Sequence, residues 1–360
     1  MKTLVLVGWG VLISHASCVV PNPNYCPPEQ CNDAGSDALG DASVTDGNDA
    51  PPLCKRELLV QRGGPLTNGK VVRIAVSDAA VNFISNEVDT DFHGAWSPDG
   101  TRVAVIRNLT SLWVMNWDGT EAREVDSGSS ALSWPAWSPD GTRIAYVRLG
   151  EENAPSAILS IASTASGAPT NLTPGNDGQG PLSWTPDGSR IVFVSNRTGN
   201  LEIFSMRADG NDQVNLTNRT VADSEPVVSP SGGHIAFVSQ GRIWTMEDTG
   251  ATQVNRSGTG KVTHGQPAWS VSGTLYFVKN PGNGSEIWAM NEDGTNQRSI
   301  DSDSALDEEP AVSPDGTMIA WTSRRDGNPE IYVSANDGTN PVRLTNHAGS
   351  DSRPRWRPCP

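Results

Sequence analysis

"AWSPDGTRVAVIRNLTSLWVMNWDGTEAREV" runs from Ala95 to Val125, and "AWSPDGTRIAYVR" begins 41 residues later at Ala136. With the Trp of "WSPDG" as a marker, the same place in the pattern recurs at Trp96, Trp137, Trp184, Val228 ("VSPSG"), Trp269 ("WSVSG"), Val312 ("VSPDG") and Trp356 ("WRPCP"). Successive markers lie 41 to 47 residues apart. A period of that length builds a propeller or a solenoid.

The contents of one period decide between them. A short strand ends at the marker. "SPDG" then supplies a type I turn, with Pro at its second position and Gly at its fourth. A second strand with alternating apolar residues follows, as in "RVAVIR", "RIVFVS" and "MIAWTS", and a third, as in "SLWVMN", "RIWTME" and "PEIYVS". An Asp-Gly pair such as Asp118-Gly119 or Asp337-Gly338 makes a hairpin. A fourth, shorter strand closes the unit. No helical period is sustained, and four antiparallel strands per unit are a propeller blade. Asp99, Asp140, Asp187 and Asp315 in the "SPDG" turns are read as structural.

Six units are complete. Upstream, Arg56–Arg62, Val71–Ser77 and Val81–Asn86 read as the second, third and fourth strands of a blade without its first. Downstream, Arg353–Pro358 reads as a first strand without successors. Joined, they make a seventh blade and leave no open edge in the ring. The alternative is six blades with the N-terminal strands as an irregular cover. Cys359 stands where a turn is due and Cys54 just before the strand that should follow. A Cys54–Cys359 disulfide would staple the ring, contributing about 2–4 kcal/mol, with Cys26 and Cys31 pairing locally.

Residues 1–17 read as a signal peptide: Lys2, an apolar run from Thr3 to Ile13 too short to span a bilayer, then small residues. "HASC", His15 to Cys18, is similar to the lipobox of bacterial lipoproteins, in which the Cys is lipidated, although His15 departs from its aliphatic position. Lipidation of Cys18 leaves four of the five cysteines to pair; the alternative is ordinary cleavage after Ala16. Residues 18–53, poor in large apolar side chains, read as a flexible acidic tether, and 54–360 as the propeller. The net charge of −15 with no basic patch argues against nucleic-acid binding.

The recurring W-S-P-D-G, I-A-F and E-I-Y segments resemble the TolB-type β-propeller repeat, a relative of the WD repeat. The resemblance covers Glu57 to Cys359 and implies an all-β propeller of seven four-stranded blades. TolB carries a further N-terminal α/β domain with no counterpart read in this sequence, so TolB's own partners do not follow from the repeat.

Propeller ligands bind over the central channel, at the loops that lead into the innermost strands. Five residues before the markers stand Asp91, Leu132, Gln179, Asp223, His264, Asp307 and Asp351; three before stand His93, Trp134, Pro181, Glu225, Gln266, Glu309 and Arg353. This mixed ring offers carboxylates to a cation or to a basic partner. The competing expectation is that each Asp accepts backbone hydrogen bonds within its own loop. The candidate funnel residues are therefore Asp91, His93, Asp223, Glu225, His264, Asp307, Glu309, Asp351 and Arg353. "DSDSALDEE", Asp301 to Glu309, lacks the Gly spacing of an EF-hand and reads as an acidic solvated loop, so no metal site is expected.

No G-x-S-x-G or H-E-x-x-H motif is present. A histidine–carboxylate pair in the funnel, His93 or His264 with Asp223 or Glu225, is the remaining catalytic arrangement. The expectation is a non-catalytic, cofactor-free, monomeric interaction platform in the bacterial periplasm or at the outer membrane or cell surface, tethered through Cys18. Its partner would be a protein of the cell envelope with a basic surface. The alternative is a glycan- or small-molecule-binding, or lyase- or hydrolase-like, propeller that uses the funnel.

Overall fold

The computed structural model describes residues 56–359 except 64–68, 86–88, 151–154, 165–166, 176–178, 283, 302 and 304. Among these, 28 strands form seven four-stranded antiparallel sheets. The seven inner strands are Asp91–Trp96, Leu132–Trp137, Gln179–Trp184, Asp223–Val228, Thr263–Trp269, Asp307–Val312 and Asp351–Trp356. In six sheets the remaining strands follow in chain order. In the seventh, Asp351–Trp356 pairs with Glu57–Arg62, which pairs with Lys70–Ala75 and then Val81–Phe83. Leu58 faces Trp356 and Arg62 faces Asp351 across the join. The ring has seven blades and is closed by both ends of the chain, as the repeat count requires. Cys359 lies in this seam and is buried. Cys18, Cys26, Cys31 and Cys54, the leader and the tether lie outside the described residues.

The second strand of each blade departs from the expected alternation. Val103, Ala104, Val105 and Ile106 are all fully buried. Each blade is covered on both faces by its neighbours, so both faces of that strand need apolar side chains. The cores lie between blades: Ala104, Ile106, Leu112 and Val114 of one pack against Trp137, Ile144 and Tyr146 of the next.

The markers explain themselves. The indole Nε1 of Trp137 donates to the Ala95 carbonyl (3.1 Å), Trp184 to Ala136 (3.2 Å), Trp269 to Val227 (3.1 Å) and Trp356 to Ala311 (2.9 Å). Each ties its blade to the one before. The "SPDG" aspartates hold their turns: Asp99 accepts from Ser97 Oγ (2.5 Å) and from the Thr101 amide (3.0 Å). Gly100 follows at φ 65°, a conformation that suits glycine.

Candidate functional site

Three residues before each marker, the inner strands change register. At that position His93, Trp134, Glu225, Gln266, Glu309 and Arg353 all hold positive φ, between 48° and 59°. In the third blade the position is Pro181, whose ring forbids positive φ, and Gly180 takes the left-handed conformation at φ 72° instead. Six non-glycine residues in the left-handed region, ring-wise around one axis, form a set of β-bulges that re-aim their side chains. The residues at this position and just before the marker are partly open, whereas those between and at the marker are mostly buried. The open positions therefore line the axis.

Side chains of the bulges hold one another in sequence. The Gln266 amide donates to Glu225 Oε2 (2.6 Å), the Glu309 amide to Gln266 Oε1 (2.5 Å), and the Arg353 amide to Glu309 Oε2 (2.7 Å). Thr322 Oγ1 also donates to Glu309 Oε2 (2.9 Å), and Arg353 Nε approaches Oε1 at 3.4 Å. Further round the ring, His93 stacks on Trp134 with centroids 5.7 Å apart.

Five residues before the markers, the chemistry differs from the expected backbone capping. Asp91 is fully buried and bound bidentately by Arg107 (2.8 and 2.9 Å). Asp351 is bound likewise by Arg62 (2.8 and 2.8 Å), and Asp223 by Arg219 (2.7 and 3.2 Å). All three arginines lie over blade aromatics, Arg107 over Trp113 at 4.3 Å, Arg219 over Trp244 at 4.4 Å and Arg62 more distantly over Phe83 at 5.9 Å. At the same position His264 meets Arg242, whose Nη1 lies 3.2 Å from Nδ1. A buried carboxylate needs a partner that satisfies it, and a guanidinium fork does so better than a loop amide. The apolar Leu132 is buried in the core, and Gln179's side chain is not described.

Asp307 is the exception. It is fully buried, yet neither carboxylate oxygen has a well-formed hydrogen bond: the Ser323 hydroxyl stands beside it and Arg325 is 3.5 Å away. Arg325 is drawn instead to Asp301 and Asp303. Burial, with Asp301 and Asp303 nearby, pushes the Asp307 carboxyl up to about 7. Oxygens of Asp301, Asp303 and Asp307 lie within 4.8 Å of one another. The Arg325 guanidinium, lying among them, is the cation that partly neutralises them. The loop is thus a partly buried cluster rather than the solvated acidic loop expected.

Both funnel histidines are neutral at pH 7. Burial, then Arg353 and Arg355, lowers His93 to about 4; burial is also the main cause at His264, lowered to about 4. Neither forms an ion pair or hydrogen bond with a carboxylate among the described residues, so the expected histidine–carboxylate pairing is not assembled. The arginines at Asp91, Asp223, Asp307 and Asp351 were missed in the sequence because they come from different strands and loops. Arg355 was missed although the marker register places it one residue before Trp356. An open groove of about 600 Å³ lies between the turns at Thr185–Arg190 and Pro230–Gly233. Of its two carboxylates, Asp187 and Asp248, the first is committed to holding its turn.

The profile of the TolB beta propeller domain (PD40) matches residues 107–359. The chain is similar to the TolB homologue of Chlorobium luteolum, 34% identical over 148 residues, which is 39% of this chain and 33% of that protein. The match thus spans about a third of that relative's length. Among solved structures, it resembles TolB from Acinetobacter baumannii (TM-score 0.57, 20% identity, 84% of this chain and 67% of that one). It also resembles an oligogalacturonate lyase in complex with manganese (TM-score 0.63, 12% identity, 82% and 87%). These structural likenesses carry the fold alone.

Proposed function

The chain belongs to the TolB β-propeller domain family, and from that premise we propose that it is a non-catalytic interaction platform of the bacterial cell envelope, with a protein partner docking over the channel mouth. The observation that carries this reading is the ring of bulges. Six non-glycine residues at positive φ, each costing on the order of 1–3 kcal/mol, stand around one opening, and three of their amides are held by the side chain of the preceding bulge. Such strain concentrates where a surface is used.

The buried Asp–Arg pairs narrow the contact set. Asp91, Asp223 and Asp351 position the mouth, while Glu225 and Glu309, which hold neighbouring bulge amides, keep negative charge on the ring for a basic group of the partner. The test is to replace both with glutamine, which keeps their acceptor oxygens and removes the charge. Capture of the partner should weaken and lose its salt dependence. Unchanged capture would move the partner to the outer rim.

We extend the proposal to anchoring, closure and state. Cys18 carries a lipid, residues 18–53 are the tether, and the protein works as a monomer at the periplasmic or outer surface. The seam is stapled by Cys54 and Cys359; that Cys359 is disulfide-bonded supports this pairing. A second reading, a small-molecule or glycan site with lyase- or hydrolase-like chemistry, draws on one observation: His93 is neutral and faces two arginines.

A further inference from the structure

One step beyond the bulges, at the residue just before each marker, the channel positions are Ala95, Ala136, Ser183, Val227, Ala268 and Ala311, and then Arg355. Six small neutral side chains leave the bore open, and the seventh places a guanidinium beside it. Arg355 remains exposed to solvent.

The guanidinium is under-used. Among the described residues Arg355 donates one side-chain hydrogen bond, Nη1 to the Pro354 carbonyl at 3.1 Å, and has no ion-pair partner. Glu309, the nearby carboxylate, is turned to Arg353, accepting its amide and facing its Nε. About four of Arg355's five N–H donors are therefore open to the bore. The other arginines around the mouth, Arg62, Arg107 and Arg219, are bound bidentately to aspartates. Burial disfavours the Arg355 charge, Glu309 favours it and Arg353 disfavours it; the net effect is a lowered pKa, which an anion beside it would relieve. Arg353 and His93 lie close enough to share the field.

We propose that the channel holds a carboxylate-binding site centred on Arg355, with Arg353 and His93 beside it. The proposal rests on the reading that the channel mouth is the binding face. A planar fork suits a carboxylate, which it can hold through two parallel bonds. A monoanion is favoured over a phosphate dianion because Glu225 and Glu309 stand on the same ring.

The test uses the folded chain and follows the His93 ring by NMR. Acetate and a tetrapeptide with a free C-terminal carboxylate are the probes, with the C-terminal amide of that peptide as control. Acetate should shift the His93 signals saturably and raise the His93 pKa from about 4. Arg355→Met should weaken binding about tenfold or more while leaving the melting temperature in place, and Arg355→Lys should restore part of it. Binding of acetate and of the free peptide, but not the amide, assigns the site to a chain terminus or acidic side chain. Binding of acetate alone assigns it to a small free acid. Should Arg355→Met fold poorly, Arg355→Gln serves the same comparison. The proposal falls if neither probe gives a saturable shift, if a folded Arg355→Met or Arg355→Gln variant binds undiminished, or if inorganic phosphate binds more tightly than acetate. Loss of this site while the partner still crosslinks at the mouth would overturn the carboxylate site and leave the docking reading standing.

Discussion

Trp96 Nε1 donates to the backbone carbonyl of Arg355 across 3.1 Å, joining the first complete blade to the last strand of the chain. The same indole-to-carbonyl bond links blades at four other joins, so the ring is latched here by the device that latches it elsewhere. Trp96 is 8% exposed. Trp96→Phe keeps most of the apolar contact and removes the donor. It should cost about 1–3 kcal/mol in urea denaturation, the range for leaving a buried acceptor unpaired. Trp137→Phe should cost a similar amount. A loss confined to Trp96 would show that closure differs from ordinary blade packing.

Asp91 and Asp307 occupy equivalent positions with opposite electrostatics. Asp91→Asn breaks a fully buried bidentate pair and leaves Arg107 with only the longer Asp89 contact at 3.5 Å, so a loss of about 3–5 kcal/mol is expected. Asp307→Asn removes a carboxyl held up to about 7. Because that pKa is raised, the folded chain binds the extra proton below it, and the associated stability fades as pH rises from about 4 through 7. Asp307→Asn should therefore be stabilising relative to the parent at pH 8 and close to neutral at pH 4. Thermal melts across pH check the sign; greater destabilisation at pH 8 than at pH 4 contradicts it.

His264 acts in the reverse sense. Its pKa is lowered to about 4, so the unfolded chain takes up a proton near pH 6.5 that the folded chain refuses. Stability should fall as pH drops from 6.5 to 4, and His264→Gln should flatten that part of the profile. An unchanged acid limb would show that His264 is protonated within the fold.

The architecture was legible because a propeller repeats its instructions. The "WSPDG" marker fixed the register, and joining the partial blades at the two ends favoured seven blades over the six-blade alternative. Less of the site could be read. The ring positions followed from counting back from the marker, but the backbone conformation there did not: nothing in His93, Glu225 or Arg353 as residue types signals positive φ. Nor did the partners of the aspartates follow from spacing. Arg107 ends the next strand, opposite Asp91 in the register, whereas Arg219 precedes Asp223 by four residues in a loop. Arg355 was the readable omission, since one column of the repeat is small and neutral six times out of seven.

The cysteines divide into two measurable expectations. Mass spectrometry of the mature N-terminus should find acylated Cys18, and a chain beginning at Ser17 would instead mean a free secreted propeller. Non-reducing peptide mapping should join Cys54 to Cys359. Cys359→Ser should then cost about 2–4 kcal/mol. Pairing of Cys54 with Cys26 or Cys31 would remove the staple from the seam.

The most direct measurement of the central claim is site-specific photo-crosslinking in envelope extract. A crosslinking residue at Glu308, beside the bulge ring, is compared with one at Val214 or Val342, exposed on outer strands. The account predicts one discrete crosslinked partner from Glu308, lost when Glu225 and Glu309 are both replaced by glutamine, and none from the outer positions. Crosslinks from Val214 or Val342 with none from Glu308 would contradict it and place recognition on the rim of the blades.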